Sequence, residues 1–471
     1  MRTLPATLIL SLVLAAAPSQ EAERWRGAID LSGFGGPEIE FFVVFSIGED
    51  GGVSATISIP IQGVDGLPLT DVVYDQQHLE FTLVTSPNNG EFRAAREGDT
   101  ATGTLTQGVA IPITLRRLAP EESAGPDRPQ TPHPPFPYTE REVIYANPVD
   151  GNNLAGTLGI PAGAGPHPAV LLITGSGAQD RDETIFAHKP FWVIADHLTR
   201  NGIAVLRVDD RGVGGSDRGP EGPTTLDFAG DVLAGVKFLG QQPEIDGARI
   251  GLIGHSEGGL IAPIAAAQDS DISFIVLLAG TGISGRELMP LQLAAVQRAV
   301  GRSQKNVEQQ LQAQARIHAL VIAEADQQRV REAVGELVDI QLQNAAETLS
   351  AVEREQAIKS GTRSMMSGWY RTFLITDPRH WLAKVRCPVL AINGTLDLQV
   401  PADANLPAIE RALHEGGNQE VAVHALEGLN HLFQHAQTGS VAEYGQIEET
   451  FALEALELIT EWIRGRTGLD R

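Results

Sequence analysis

Gly254-His255-Ser256-Glu257-Gly258 decides the reading of this chain. The stretch follows an apolar run at 250–253 and leads into an alanine-rich segment at 260–268, so it reads as strand, tight turn and helix. A serine at the tip of such a turn takes a strained backbone conformation that lifts its hydroxyl above the sheet. Glycines on both sides admit the close approach of strand and helix. The pattern is that of a nucleophile elbow. A serine hydroxyl is a weak nucleophile at its own pKa, so a base must lie within hydrogen-bond reach and a third group must orient that base.

Outward from the elbow, apolar runs at 169–173, 204–208, 250–253, 275–278, 389–392 and 421–423 alternate with helical segments. Alternation of this kind predicts a parallel sheet with crossover helices on both faces, an α/β fold over 138–471. One block interrupts it. Between 282 and 379 there is no strand pattern, and Val330, Val334, Leu337, Val338 and Gln341 trace a mostly apolar stripe at helical spacing. This predicts a helical insertion at a position where a cap over an active site would be inserted; a helical subdomain packed for stability fits the stripe equally well. Met365, Met366, Trp369, Tyr370 and Phe373 recur at helical spacing late in this block. They are candidates for an acyl pocket, with core packing as the alternative.

Toward the N-terminus, residues 22–118 show about eight short alternating runs separated by glycines, the signature of a small antiparallel all-β domain, a sandwich or small barrel. Residues 119–137 hold seven prolines and read as an extended linker. Residues 1–17 read as a signal peptide: Arg2, an apolar stretch at 4–16, and Ala15-Ala16-Ala17 as the cleavage site. Export to the periplasm or the exterior is therefore expected, an uncleaved anchor being the alternative that the short apolar run disfavours. No other stretch approaches the length of a membrane span. Cys387 is the one cysteine, so no internal disulfide can form.

The formal net charge of −24 argues against nucleic acid or an anionic membrane as partner. There is no H-E-x-x-H, no cysteine cluster and no glycine-lysine phosphate loop, so neither metal nor cofactor is expected.

Four blocks together carry a resemblance. They are 172–177 with Gln179-Asp180-Arg181-Asp182; Asp209-Asp210-Arg211-Gly212-Val213-Gly214-Gly215-Ser216; the elbow; and Asn393-Gly394-Thr395-Leu396-Asp397 followed by Gly428-Leu429-Asn430-His431. With them the region from Tyr138 to the end resembles the α/β-hydrolase family, in particular bacterial serine esterases with a G-H-S-x-G motif and an N-terminal β domain. The resemblance implies the chain order nucleophile, acid, histidine, which Ser256, Asp397 and His431 satisfy. It implies His431 rather than His435 as the base, a structural place for His255, and an oxyanion hole built from the N–H groups of Glu257 and Ser176. Where relatives often carry histidine before the loop glycine, this chain has Thr174. Asp180, Arg181 and Asp182 read as a salt-bridged brace or as substrate contacts, and Arg211 with Asp210 as the pin of a turn.

The activity so implied is hydrolysis of a small-molecule carboxylic ester through an acyl-enzyme, declining in acid where an imidazole takes up a proton. Three rivals stay open: an aminopeptidase-like serine peptidase, a thioesterase, and a binding protein on an inactive hydrolase scaffold.

Overall fold

The computed structural model describes residues 21–29, 39–48, 52–59, 64–84, 89–107, 109–119, 128–343 and 351–469. The expected signal peptide at 1–17 and residues 120–127 of the expected linker lie outside them. The chain divides into two compact units, the first ending at Gly125 and the second containing Pro126–Arg471.

The first unit is a meander of antiparallel strands: β1 (Glu21–Ile29), β2 (Ile39–Ile47), β3 (Val53–Ile59), β4 (Val64–Pro68), β5 (Thr70–Tyr74), β6 (His78–Leu83), β7 (Gly90–Glu97), β8 (Thr100–Gln107) and β9 (Val109–Arg117). Each pairs with its sequence neighbour except β4 and β5, and β9 returns to pair with β1. The two edge strands, β4 and β5, are consecutive in the chain, separated by Leu69 alone, whose N–H donates to Ala55 O of β3. The sheet therefore wraps into a barrel. Alternation along β7 and β3 buries every second side chain, and Phe45 stacks on Tyr74 with ring centroids 4.3 Å apart beside the fully buried Trp25.

The second unit contains an eight-stranded sheet of β10 (Thr139–Ala146), β11 (Asn153–Ile160), β12 (His167–Ile173), β13 (Ala204–Val208), β14 (Ile245–His255), β15 (Ile272–Leu278), β16 (Val389–Gly394) and β17 (Val421–Leu426). Its order is β10-β11-β13-β12-β14-β15-β16-β17, antiparallel through β10, β11 and β13 and parallel from β13 to β17. Strands β12 and β16 are buried along their whole length, as parallel strands covered on both faces must be. One face packs on α2 (Thr225–Gly240), α3 (Gly258–Ala266) and α10 (Ala402–Glu415); the other packs on α1 (Pro190–Arg200) and α12 (Leu453–Thr467).

Chain order places the site. After β12 the chain moves outward to β13, then returns to lay β14 on the other side of β12. A crevice opens beyond the carboxyl ends of strands at such a switch point, and ligands bind there in open α/β sheets.

Among the described residues no strand lies between β15 and β16. The interval holds α4 (Gly285–Ala299), α5 (Gln304–Ile322), α6 (Gln327–Leu342), α7 (Ala351–Met365), α8 (Gly368–Ile375) and α9 (Pro378–Leu382). This insertion has its own apolar cluster, in which Ile317, Val330, Val334 and Leu374 are buried. The short α11 (Val441–Tyr444) precedes α12.

The linker expected over 119–137 is described again from Arg128, and there it is fastened rather than free. Arg128 is buried and donates to the carbonyls of Ile447, Phe186 and Gly445, while Gln130 Nε2 donates to Phe451 O. A guanidinium out of water needs acceptors for its N–H groups, and carbonyls of the second unit supply them.

Candidate active site

Ser256 follows β14 directly and has φ of 54°, a left-handed conformation that is costly for a residue with a Cβ. Its neighbours hold it there. A Cβ on Gly254 would stand 2.1 Å from Gly258 O, and one on Gly258 would stand 2.2 Å from Ile173 O, so only glycine permits strand and helix to come this close. The Ser256 N–H donates to Leu278 O at 2.8 Å and its carbonyl accepts from Gly259 N–H at 2.9 Å, pinning the turn to β15 and to its own helix.

Asp397 lies in the loop after β16 and His431 in the loop after β17, both at the carboxyl end of the sheet where Ser256 stands. His431 Nδ1 lies 2.8 Å from Asp397 Oδ2, and the other carboxylate oxygen accepts the N–H groups of Gln399 and Val400, each at 2.8 Å. Both side chains are nearly inaccessible. The carboxylate is thus fixed by two amides and aims one oxygen at the imidazole. The loop bearing His431 is held in turn by Asn430, whose Oδ1 accepts from Leu432 and Gln434 N–H.

The His431 ring reaches the elbow beside His255, with ring centroids 4.8 Å apart. Ser256 Oγ makes no hydrogen bond to a described residue; catalytic hydrogen bonds in unliganded sites are often long and tighten when substrate binds. His435 is exposed between Glu449 and Glu454, which together hold its pKa above the ordinary value.

His255 is buried, with Nε2 at 2.9 Å from His431 O and Nδ1 at 2.9 Å from Glu183 Oε1. Burial opposes a charge on this ring, but the carboxylate of Glu183 outweighs it, and the pKa rises above the usual imidazole value. The same Glu183 oxygen accepts Gly175 N–H at 2.6 Å. One buried carboxylate therefore ties the β12 loop to the histidine beside the nucleophile. Glu183 carries no signal in the sequence, since a single acid beside the charged run at 180–182 has no spacing signature.

The β12 loop lies against the elbow: a Cβ on Gly175 would be 3.3 Å from Ser256 Cβ. Ser176 and Glu257 line one cavity with Ser256, of about 130 Å³. Gly175 N–H is taken by Glu183, whereas the N–H groups of Ser176 and Glu257 have no acceptor among the described residues. Glu257 sits at the start of α3, where helix geometry leaves amides unpaired. Two donors beside one hydroxyl are what a developing oxyanion requires.

Thr174 and Asp210 have a shared place. Thr174 Oγ1 donates to Asp210 Oδ1 at 2.7 Å and Gln179 N–H donates to Oδ2 at 2.9 Å, so Asp210 holds the oxyanion loop. Arg211 and Asp210 do not pin the turn together, contrary to the expectation from sequence: Arg211 pairs with Asp231 and Asp150 instead. Arg181 braces Asp209 and Glu142, and Asp182 pairs with Arg207, so the charged run is a scaffold.

Burial pushes the Asp210 carboxyl up to about 7, a rise opposed by its two donors and reinforced by the charges of Glu183 and Glu257. In the unfolded chain the group ionises near 3.8. Between these values the unfolded state releases a proton that the folded state keeps, so the contribution of Asp210 to stability falls as pH rises. Asp210→Asn is expected to gain about 2 to 4 kcal/mol relative to the parent between about pH 4 and about pH 7. Denaturant melts at the two pH values measure it; a constant difference would show that burial does not hold the proton on Asp210.

Of the residues expected in an acyl pocket, Trp369, Tyr370 and Phe373 on α8 line the Ser256 cavity. Met366 is 40% exposed, and Met365 packs against the insertion's own apolar cluster, so neither faces the site. Helical spacing places five residues on one periodic stripe, but Met365 closes one helix and Met366 lies in the turn before Ser367 caps the next. Thr281, Leu288, Met289, Gln292, Gln399 and Val400 line the cavity without having carried any signal in the sequence.

Trp369 Nε1 also donates to Glu257 Oε1 at 2.8 Å, the same oxygen that Thr225 Oγ1 reaches at 2.6 Å. Burial raises the pKa of this carboxyl, and both donors counter the rise. The insertion is thereby tied to the residue that follows the nucleophile. No cluster of three or more His, Cys, Asp or Glu side chains suited to a metal occurs among the described residues. No described helix is long and apolar enough to cross a membrane.

A sequence profile of the alpha/beta hydrolase fold matches residues 168–435. Esterase EstD of Thermotoga maritima is 36% identical over 164 residues, 34% of this chain and 38% of that protein. An uncharacterized protein of Mycobacterium tuberculosis is 32% identical over 128 residues, 27% of this chain and 41% of that protein. The chain thus matches about two-fifths of the length of these curated relatives. Among solved structures, an esterase of Pyrococcus furiosus shares 17% identity with a TM-score of 0.44, over 74% of this chain and 100% of that one.

Proposed function

The chain belongs to the alpha/beta-hydrolase fold family, and from that premise we propose that it is a serine carboxylesterase with Ser256, His431 and Asp397 as its triad. The observation that carries the reading is the fixed His431–Asp397 pair at 2.8 Å, with the His431 ring 4.8 Å from that of His255, the residue before a serine strained to a φ of 54°. The esterase EstD, 36% identical over the matched region, supports ester over amide as the substrate bond.

In this reading Ser256 Oγ attacks the ester carbonyl carbon while His431 Nε2 takes the hydroxyl proton. Asp397 holds the ring in the tautomer with its proton on Nδ1 and stabilises the imidazolium that forms. The N–H groups of Ser176 and Glu257 bind the oxyanion, each donor contributing about 3 kcal/mol to the transition state. The carbon–oxygen bond to the alcohol breaks and the alcohol leaves with the proton from His431. Water then attacks the acyl-enzyme by the same route and releases the acid. Action outside the cytoplasm, after removal of residues 1–17, belongs to the same proposal.

A fluorophosphonate probe is expected to label Ser256, and a short-chain nitrophenyl ester to be cleaved in preference to an aminoacyl nitroanilide. Labelling with preferential anilide cleavage would make the protein a peptidase. No labelling would leave a binding protein on a hydrolase scaffold.

A further inference from the structure

A second cavity, of about 460 Å³, adjoins the one that holds Ser256, and the two share Ser176 and Trp369 in their walls. Its volume lies in the roughly 300–1,000 Å³ range of small-molecule sites. Leu154, Leu171, Phe228, Val232 and Ile261 give it an apolar wall. The ionisable groups in its wall are already engaged: Asp209 with Arg181, Asp210 with Thr174 and Gln179, Arg211 with Asp231. An occupant gains nothing there from a charge and gains from every buried methylene.

The smaller cavity differs in chemistry. Thr281, 3% exposed, lines it, and Thr281 Oγ1 has no hydrogen-bond partner among the described residues. A buried hydroxyl without a partner costs free energy that a substrate group can recover. Gln292 and Gln399 stand in the same wall.

Orientation follows from the reaction. The departing alcohol must receive its proton from His431. Gln399 and Val400, whose N–H groups bond Asp397, line the small cavity, whereas no residue of the Asp397 or His431 loops lines the large one. The alcohol therefore belongs on the Thr281 side and the acyl chain on the other, so that Tyr370 and Phe373, expected in an acyl pocket, face the alcohol instead.

We propose that the site is built for esters of a medium-length apolar acid with a small hydroxyl-bearing alcohol: the 460 Å³ cavity holds the acyl chain, and Thr281 bonds a free hydroxyl of the alcohol. This rests on the esterase reading above and deepens it. The Trp369 indole, held by Glu257, forms the partition between the two arms.

The test compares kcat/KM for three esters: hydroxyethyl octanoate, propyl octanoate with the same number of heavy atoms, and hydroxyethyl acetate. The parent is expected to favour octanoate over acetate by about 100-fold and hydroxyethyl over propyl by about tenfold. Thr281→Val is expected to bring the hydroxyethyl-to-propyl ratio to about one, and Thr281→Ser to restore it. Val232→Phe, or Phe228→Trp should the first fail to fold, is expected to lower the octanoate-to-acetate ratio at least about tenfold. Ser256-dependent cleavage of nitrophenyl esters without either preference, or ratios that the variants do not move, would overturn the two-arm site alone. Failure to cleave any ester would overturn the esterase reading and this inference with it.

Discussion

Ser256→Ala is expected to lower kcat on a nitrophenyl ester by about 10⁵ to 10⁶, with KM little changed, because the variant keeps the binding surface and loses the atom that forms the bond. The fold should survive. The turn is held by the Ser256 N–H on Leu278 O and by the packing of Gly254 and Gly258, none of which involves the hydroxyl. Alanine bears the same positive φ at a similar cost, so the variant isolates chemistry from architecture. Activity measured with excess unlabelled protein, after fluorophosphonate treatment to silence contaminating hydrolases, reads the residue. A loss below about 100-fold would mean that another nucleophile carries the reaction, since the surrounding donors and binding surface by themselves retain only about 10³ to 10⁴ over water in comparable triads.

Asp397→Asn is expected to cost about 10⁴ in kcat while leaving the melting temperature nearly unchanged. The asparagine oxygen can still accept Gln399 and Val400 N–H, which now bond the other carboxylate oxygen at 2.8 Å. Its amide would then face His431 Nδ1, 2.8 Å away, with a donor where an acceptor stood. The imidazole would answer by placing its proton on Nε2, and a protonated Nε2 cannot take a proton from Ser256. The defect is one of tautomer rather than of charge alone. A loss under about tenfold would show that another group orients the ring.

Much of this was legible because strands and their turns have short-range signatures. The elbow announces itself in five residues, and parallel strands bring every loop after a strand to one end, so the order of Ser256, Asp397 and His431 suffices to bring the loops together. The insertion was legible as an interval without strands. What lay hidden depends on contacts distant in sequence. Glu183 meets His255 across 72 positions, and Trp369 meets Glu257 across 112. Arg211 and Asp210 are adjacent in sequence, yet successive residues point apart, and their side chains leave for different partners. Met366 shows the same limit, since periodicity ranks faces of a helix but cannot say where that helix ends.

The wrapped sheet of the first unit has a consequence of a different kind. With β9 returned to β1, strands β1 to β3 and β6 to β9 are each paired on both sides, so only the short β4 and β5, which run into each other through Leu69, carry an outer backbone edge. Along the other seven strands only side chains and the connections between strands are open to a partner. Those connections can be exchanged without unravelling the ladder, which makes them the natural place to graft new specificity.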